Sequence, residues 1–359
     1  MIYLDNAATT KTDPKVVETM LPWFSDYFGN AGSSHGFGKY AAEAVQKARS
    51  DIADVVGCFP EEIIFTSGGT EADNLALRRS LWCITTAIEH KAVLNTLGRN
   101  ATLIYPDSSG AVNPDDFDFE SLAKVSIMAV NNETGVLQPY EEVAKRCYKE
   151  HPHFIHVDAV QAFGHRPIDI KYIDFMSVSA HKFNGPKGIG FLYARKDKQK
   201  FLSPVLYGGG QEFGLRSGTE AVPLIIGLAE AVRQHSNPLP VNLGWLEDRL
   251  VNECDAVING SSCHDDPWKR IINFQLDVHN DTMLRYLSKK EIYLSAGSAC
   301  NANSSKPSHV LKAMGLTDEQ CNRSIRLSVD DGITTEEADT LINEINRIRK
   351  ELAILSEFN

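Results

Sequence analysis

The stretch Phe154-Ile-His-Val-Asp-Ala-Val-Gln161, with Ser177-Val-Ser-Ala-His-Lys-Phe-Asn-Gly-Pro-Lys-Gly-Ile-Gly190 shortly after it, decides how this chain is read. The first segment is an apolar run that stops at Asp158, the pattern of a central strand buried on both faces. The second is a run that stops at Lys182 in a glycine-rich turn. Open α/β sheets collect ligands at the carboxyl ends of their strands. A lysine amine and a carboxylate at such ends suit a carbonyl cofactor held as a Schiff base. The amine forms the imine, and the carboxylate keeps a pyridine nitrogen protonated so that the ring accepts electrons. The pair therefore points to pyridoxal 5'-phosphate.

Working outward, helical and strand patterns alternate. Helical spacing covers 39–56, a short strand 62–67, and helix resumes over 71–81. Apolar runs at 125–131 and 154–158 flank a helical stretch at 140–150, which is the rhythm of a mainly parallel sheet flanked by helices. Helix continues over 222–235, and Ser236-Asn-Pro-Leu-Pro240 marks a boundary. Beyond it come a helix at 243–253, apolar runs at 270–276 and 292–295, and a closing helix at 335–355. These read as a smaller α+β domain, and the whole as α/β.

A chain of 359 residues exceeds one ordinary domain, which supports that division. A net charge of -11, with no long basic stripe, argues against nucleic-acid binding. The N-terminus lacks the pattern of a signal peptide, and no apolar run reaches the roughly 20 residues of a membrane helix, so a cytoplasmic protein is expected. Seven scattered cysteines without a Cys-x-x-Cys pair indicate neither a disulfide framework nor a metal site.

Other residues suit the same chemistry. Thr66-Ser-Gly-Gly-Thr-Glu71 joins a strand to a helix, where small residues let backbone N–H groups approach a phosphate. Ser179 and His181 could add donors to that phosphate, and Gln161 could reach the cofactor's phenolic oxygen. His90 follows another apolar run and could stack on the ring or move protons. Cys300 precedes a segment of small polar residues, where an accessible thiol could act as a nucleophile. Arg326 alternates with apolar neighbours and presents a fork of donors suited to an amino-acid carboxylate. Each has an ordinary alternative: a plain turn, a solvated lysine, an N-cap at Asp158, a structural histidine, a buried thiol, an ion pair at Arg326.

Taken together, these segments resemble the cysteine desulfurases of the NifS/IscS type, class V of the fold-type I pyridoxal-phosphate enzymes. The matching motifs are Tyr3-Leu-Asp-Asn-Ala-Ala-Thr9, Thr66-Ser-Gly-Gly-Thr-Glu71, Glu89-His90, Val130-Asn-Asn-Glu-Thr-Gly135, His156-Val-Asp-Ala-Val-Gln161, Ser179-Ala-His-Lys182, Gly208-Gly-Gly-Gln-Glu212 with Arg216-Ser-Gly-Thr219, and Gly297-Ser-Ala-Cys300. They span essentially the whole chain in family order.

The resemblance implies a large cofactor-binding domain over 12–238 and a small domain of 1–11 with 239–359 that carries the cysteine loop. It implies that Lys182 holds the cofactor and that Gly69, Thr70, Ser179 and His181 bind its phosphate, with Thr219 contributed from the neighbouring subunit of a homodimer. Asp158 would meet the ring nitrogen, His90 the ring face, Asn132 and Gln161 the ring substituent and substrate, and Arg326 the carboxylate of L-cysteine. Cys300 would take the sulfur as a persulfide for a sulfur-acceptor protein, a cluster scaffold or a tRNA- or cofactor-thiolation enzyme, and alanine would leave. A selenocysteine lyase, or another class V lyase or aminotransferase, is the alternative within the family.

Three departures bear on the acceptor. The chain ends 33 residues after Arg326 (359 minus 326), which reads as a shortened scaffold-docking region, Phe213 stands where many relatives carry a basic residue, and Ala221 replaces a common asparagine.

Overall fold

The computed structural model describes residues 1–78, 80, 82–119, 124–150, 154–297 and 307–357. In chain order the strands are β1 (Ile2–Tyr3), β2 (Ile63–Thr66), β3 (Cys83–Thr86), β4 (Ala101–Ile104), β5 (Lys124–Met128), β6 (Ile155–Asp158), β7 (Phe175–Ser179), β8 (Gly190–Ala194), β9 (Val257–Ile258), β10 (Ile271–Gln275), β11 (Ile292–Tyr293) and β12 (Ser324–Ser328). Seven of them form one sheet in the order β2-β8-β7-β6-β5-β3-β4. All its pairings are parallel except those of β8, which runs against both β2 and β7.

Period-two alternation explains why β6, β7 and β8 are buried throughout. Met176, Val178, Phe191 and Tyr193 face a core shared with the helices Gly36–Val56, Tyr140–Glu150 and Val222–Gln234. Phe175, Leu192 and Ala194 face the opposite core, built with the helices Gly69–Leu77 and Lys91–Leu97. The sheet is thus the middle of three layers, and only its edges are left to bind anything.

The helix Gly36–Val56 shows how local sequence sets the ends. His35 Nδ1 accepts from the N–H of Gly38 at its start, and Gly57 at φ 80° closes it in the left-handed conformation. The helix read over 71–81 instead spans Gly69–Leu77. It stops early because Ser80 N–H turns back to the Leu77 carbonyl, a tighter closure than the helix uses.

A second core lies beyond the sheet. The antiparallel strands β12-β10-β9 and the parallel pair β1-β11 pack with the helices Gly244–Cys254, Asn280–Ser288 and Thr335–Glu357 around Leu246, Phe274, Leu287, Leu327 and Ile345. The N-terminal strand belongs to this unit: Ile2 and Tyr3 pair with Ile292 and Tyr293, and Asp5 bridges to Ser328. That pairing brings residues 5–10 over the carboxyl edge of the large sheet. Among the described residues no helix is long and apolar enough to cross a membrane.

Candidate active site

Strands β2, β5, β6 and β7 all point their carboxyl ends at one cavity of about 230 Å³. Gly69 and Thr70 line it from the helix that follows β2, and Asp158 and Gln161 from the turn after β6. Ser179, His181 and Lys182 enter from the end of β7, His90 from the turn after β3, and Asn132 and Arg326 from the side of the second core. The structure thus gathers ten of the twelve residues singled out in the sequence. Thr219 is exposed and does not line the cavity, and Cys300 lies outside the described residues.

Lys182 sits in a short helical turn, Ala180–Lys182, and its Nζ donates to the carbonyls of Ala7 at 2.6 Å and Ala8 at 2.9 Å. The main-chain carbonyl of Lys182 accepts from His165 Nε2 at 2.7 Å. The lysine is therefore held at both ends. Because Nε2 must carry a proton to donate, His165 is the neutral tautomer with Nδ1 bare. Burial, aided by the nearby Arg270 guanidinium, pushes its pKa down to about 3.

Asp158 combines the two readings available for it. Its Oδ1 accepts from the N–H of Val160 at 2.9 Å, a local turn bond. Its second oxygen lies outside that turn, in a residue that lines the cavity. Burial and the neighbouring Asp73 carboxyl raise its pKa to about 6. His90 is oriented in the same economical way, with Nδ1 accepting from Ala92 N–H at 3.1 Å at the start of a helix. In the neutral ring the proton then sits on Nε2. Burial lowers the His90 pKa, while Asp158 opposes that shift.

The phosphate-like corner requires glycine. A Cβ on Gly69 would stand 2.5 Å from Val160 Cγ2, so only glycine lets the helix start press against the end of β6. Gly190 is equally constrained, since a Cβ there would meet the Val178 carbonyl at 2.2 Å. The first N–H groups of Gly69–Leu77 have no acceptor within the helix, which makes that end ready for an anion. His181 Nδ1 lies 3.1 Å from Thr9 Oγ1, and burial drives its pKa down to about 4.

On the far side, Asn131 Oδ1 accepts from the N–H groups of Glu133 and Thr134 at 2.9 and 3.0 Å, folding the turn that presents Asn132. Arg326, 1% exposed, donates to the Asn132 carbonyl at 2.8 Å and to Asp5 Oδ1 at 2.7 Å, and its Nε makes no hydrogen bond.

The donor set fits pyridoxal phosphate. A lysine amine, a buried carboxylate, a histidine and a helix start confined by glycine share one cavity, whose lining residues include Asp73, with its Oδ1 buried and unbonded. By contrast, burial raises the thiol pKa of Cys58 to about 12 and of Cys254 to about 11, and also raises those of Cys83, Cys263 and Cys321, which makes them poor nucleophiles.

Sequence reasoning gave no role to Asp5, Asp73, His156 or His165. One signal was available for His156: it precedes Asp158 by two residues in a strand, so the two share a face.

Residues 2–341 match the family model described as aminotransferase class-V. The chain is 42% identical to the Bacillus subtilis protein named putative cysteine desulfurase IscS 1, over 98% of this chain and 99% of the relative. Among solved structures, a NifS-like protein superposes with a TM-score of 0.85 at 35% identity, covering 97% of this chain and 99% of the other. A structure described as SspA in complex with cysteine superposes with a TM-score of 0.81 at 36% identity, covering 93% of this chain and 100% of the other. The motifs, the sheet and these full-length likenesses agree: the chain belongs to the cysteine desulfurases of the aminotransferase class-V family.

Proposed function

We propose that the protein is a pyridoxal-phosphate-dependent cysteine desulfurase that converts L-cysteine to L-alanine and keeps the sulfur as a persulfide on Cys300. The observation that carries this reading is the convergence of Lys182 and Asp158 on one cavity from the ends of adjacent parallel strands. Likeness to a structure solved with cysteine supports the substrate.

Lys182 would hold the cofactor, Asp158 its ring nitrogen, and Gly69, Thr70, Ser179 and His181 its phosphate, with Gln161 beside the phenolic oxygen and His90 over the ring. Bound there, pyridoxal phosphate supplies an electron-accepting ring that stabilises negative charge on the substrate's α-carbon. Lys182 Nζ would be the base that takes the α-proton. Arg326 and Asn132 orient the substrate carboxylate. The Cys300 thiolate attacks the substrate sulfur: an S–S bond forms, the C–S bond breaks, and its electron pair goes to the departing carbon skeleton, which is protonated and leaves as alanine. Atoms balance as cysteine plus thiol giving alanine plus persulfide.

Thr219 would reach the cofactor phosphate of a second copy, so the working form is a homodimer. The large domain, 12–238, then carries the cofactor and the small one, 1–11 with 239–359, carries Arg326 and Cys300. The protein would work in the cytoplasm, passing the persulfide to an acceptor protein of cluster assembly or thiolation.

The test is chemical. Purified protein should show a visible cofactor band that borohydride bleaches while labelling Lys182, and cysteine should yield alanine and add 32 Da, about one sulfur, to Cys300. Protein that is colourless after incubation with pyridoxal phosphate, or a Cys300→Ser variant that still forms alanine at the parent rate, overturns it.

A further inference from the structure

The cavity floor carries more carboxyl groups than the proposed function uses. Asp158 and Asp73 both line it, and Glu89 is buried close by. Glu89 is anchored, its Oε1 accepting from Thr86 Oγ1 and Met128 N–H at 2.8 Å each. Asp73 is different. It stands in the helix whose first residues line the cavity, is 1% exposed, and its Oδ1 makes no hydrogen bond. Buried carboxylate oxygens left in that state cost stability, so their retention needs a reason.

Its neighbours suggest one. Asp73 Oδ1 lies 3.5 Å from His156 Nε2. That nitrogen also faces Ser177 Oγ at 2.8 Å, while Nδ1 faces Ser126 Oγ at 2.9 Å, so the imidazole is fixed by hydroxyls from the strands on either side of β6. His156 and Asp158 project from one face of that strand. Asp73 and Asp158 are thus held on the same side of the sheet by rigid elements, with the locked His156 beside Asp73.

We propose that Asp73, which stands beside His156 and hydrogen-bonds Ser177, is a positioning residue for the cofactor: a second carboxylate that acts alongside Asp158 to keep the ring nitrogen protonated. This rests on the function proposed above. A second anion in a dry site adds directly to the potential felt by a nearby cation. Burial raises the Asp73 pKa to about 7, and Asp73 in turn raises that of Asp158. A hydrogen bond with Ser177 opposes the rise at Asp73; Asp158, Glu89, His156 and His90 are the titratable groups around it, and burial keeps both histidines toward neutral. A cation at the ring nitrogen relieves the repulsion between the two aspartates, so the loaded protein can keep both ionised.

The experiment uses the holoenzyme, with Asp73→Asn and His156→Gln beside the parent. Two readouts are followed at pH 5 to 9: the pH midpoint of the bound cofactor's visible band, and the affinity of stripped protein for pyridoxal phosphate by fluorescence quenching. Asp73→Asn should lower the midpoint by about one pH unit and weaken binding roughly tenfold above pH 7, with little change at pH 5. His156→Gln should give a smaller shift of the same sign. A residue serving only to fill space would move unfolding midpoints and leave the spectroscopic midpoint alone, and should His156→Gln fail to fold, Asp73→Asn decides. A parent with a band and an Asn variant titrating identically overturns this inference alone; a parent with no band overturns the proposed function and this inference with it.

Discussion

Arg326 Nη2 donates to Asp5 Oδ1 at 2.7 Å, an ion pair that ties β12 to the N-terminal segment across 321 residues of chain. Its geometry makes Arg326 a poised receptor. Asp5 and the Asn132 carbonyl hold one edge of the guanidinium, while Nε makes no hydrogen bond. Replacing Arg326 by Ala should raise KM for cysteine roughly 100-fold, the loss of a charge-assisted pair worth about 2–3 kcal/mol, and lower kcat far less. Asp5→Ala should act on the fold instead, because it strands a buried guanidinium, at a cost of roughly 3 kcal/mol in urea unfolding. Initial-rate kinetics with the first variant and unfolding of the second separate the two roles. An Arg326→Ala enzyme with parental KM would remove the carboxylate assignment.

The pair between Arg49 and Glu212 does comparable work for the segment at 208–219. Its two bonds, 2.8 and 2.7 Å, are nearly solvent-free, and Glu212 Oε2 also accepts from Phe65 N–H at 2.8 Å at the edge of β2. Breaking it from one side leaves a buried charge. Arg49→Met should therefore cost about 3–5 kcal/mol, and adding Glu212→Leu should recover much of that. Since the same segment presents Thr219, the single variant should also dimerise less well, as sedimentation would show. Equal costs for the single and double variants would mean that the pair is not the anchor.

His165 gives a test of the lysine clamp. His165→Phe keeps the ring volume but removes the donor to the Lys182 carbonyl, at about 1–3 kcal/mol of stability. The pH dependence has a definite sign. The folded pKa is pushed down to about 3 from an ordinary 6.5, so between those values the unfolded chain binds a proton that the folded one does not. The contribution of His165 is complete above pH 6.5 and declines as pH falls toward 3. Urea unfolding of His165→Phe should show a flatter acid limb than the parent across that window. Parallel curves would mean that the imidazole is not held neutral.

How much of this was legible in the sequence follows from what one strand can reveal. Asp158 could be placed because a buried run that ends in a carboxylate has few resting places in an α/β sheet, and Lys182 because its turn follows another such run. The antiparallel insertion of β8 between β2 and β7 was not readable, since burial on both faces looks alike in either direction. Asp73 and His156 lie 83 residues apart (156 minus 73), and their meeting depends on how the helix Gly69–Leu77 is rotated on the sheet. His165 acts through a main-chain carbonyl, which leaves no mark on side-chain patterning. Family likeness supplied roles for Asn132 and Thr219 that spacing could not, and Cys300 lies outside the described residues.

Asp73 should also betray itself when the cofactor is absent. Its carboxyl has a pKa of about 7 in the fold against an ordinary 3.8, because burial penalises the charged form. Below pH 4 both folded and unfolded chains hold the proton, and stability is unaffected. As pH rises from 4 to 7 the unfolded chain loses that proton while the folded one keeps it, so the favourable contribution is progressively lost, by a few kcal/mol at most. Asparagine cannot ionise. Cofactor-free Asp73→Asn should accordingly be more stable than the parent above pH 7, with the advantage vanishing near pH 4, as urea unfolding across that range would measure. A pH-independent difference would place the effect in packing rather than charge. The stability surrendered at Asp73 in the empty protein would then be the reason the site attracts a cation: on the proposed function, a protonated ring nitrogen would bring the missing charge and relieve the strain that the fold retains for it.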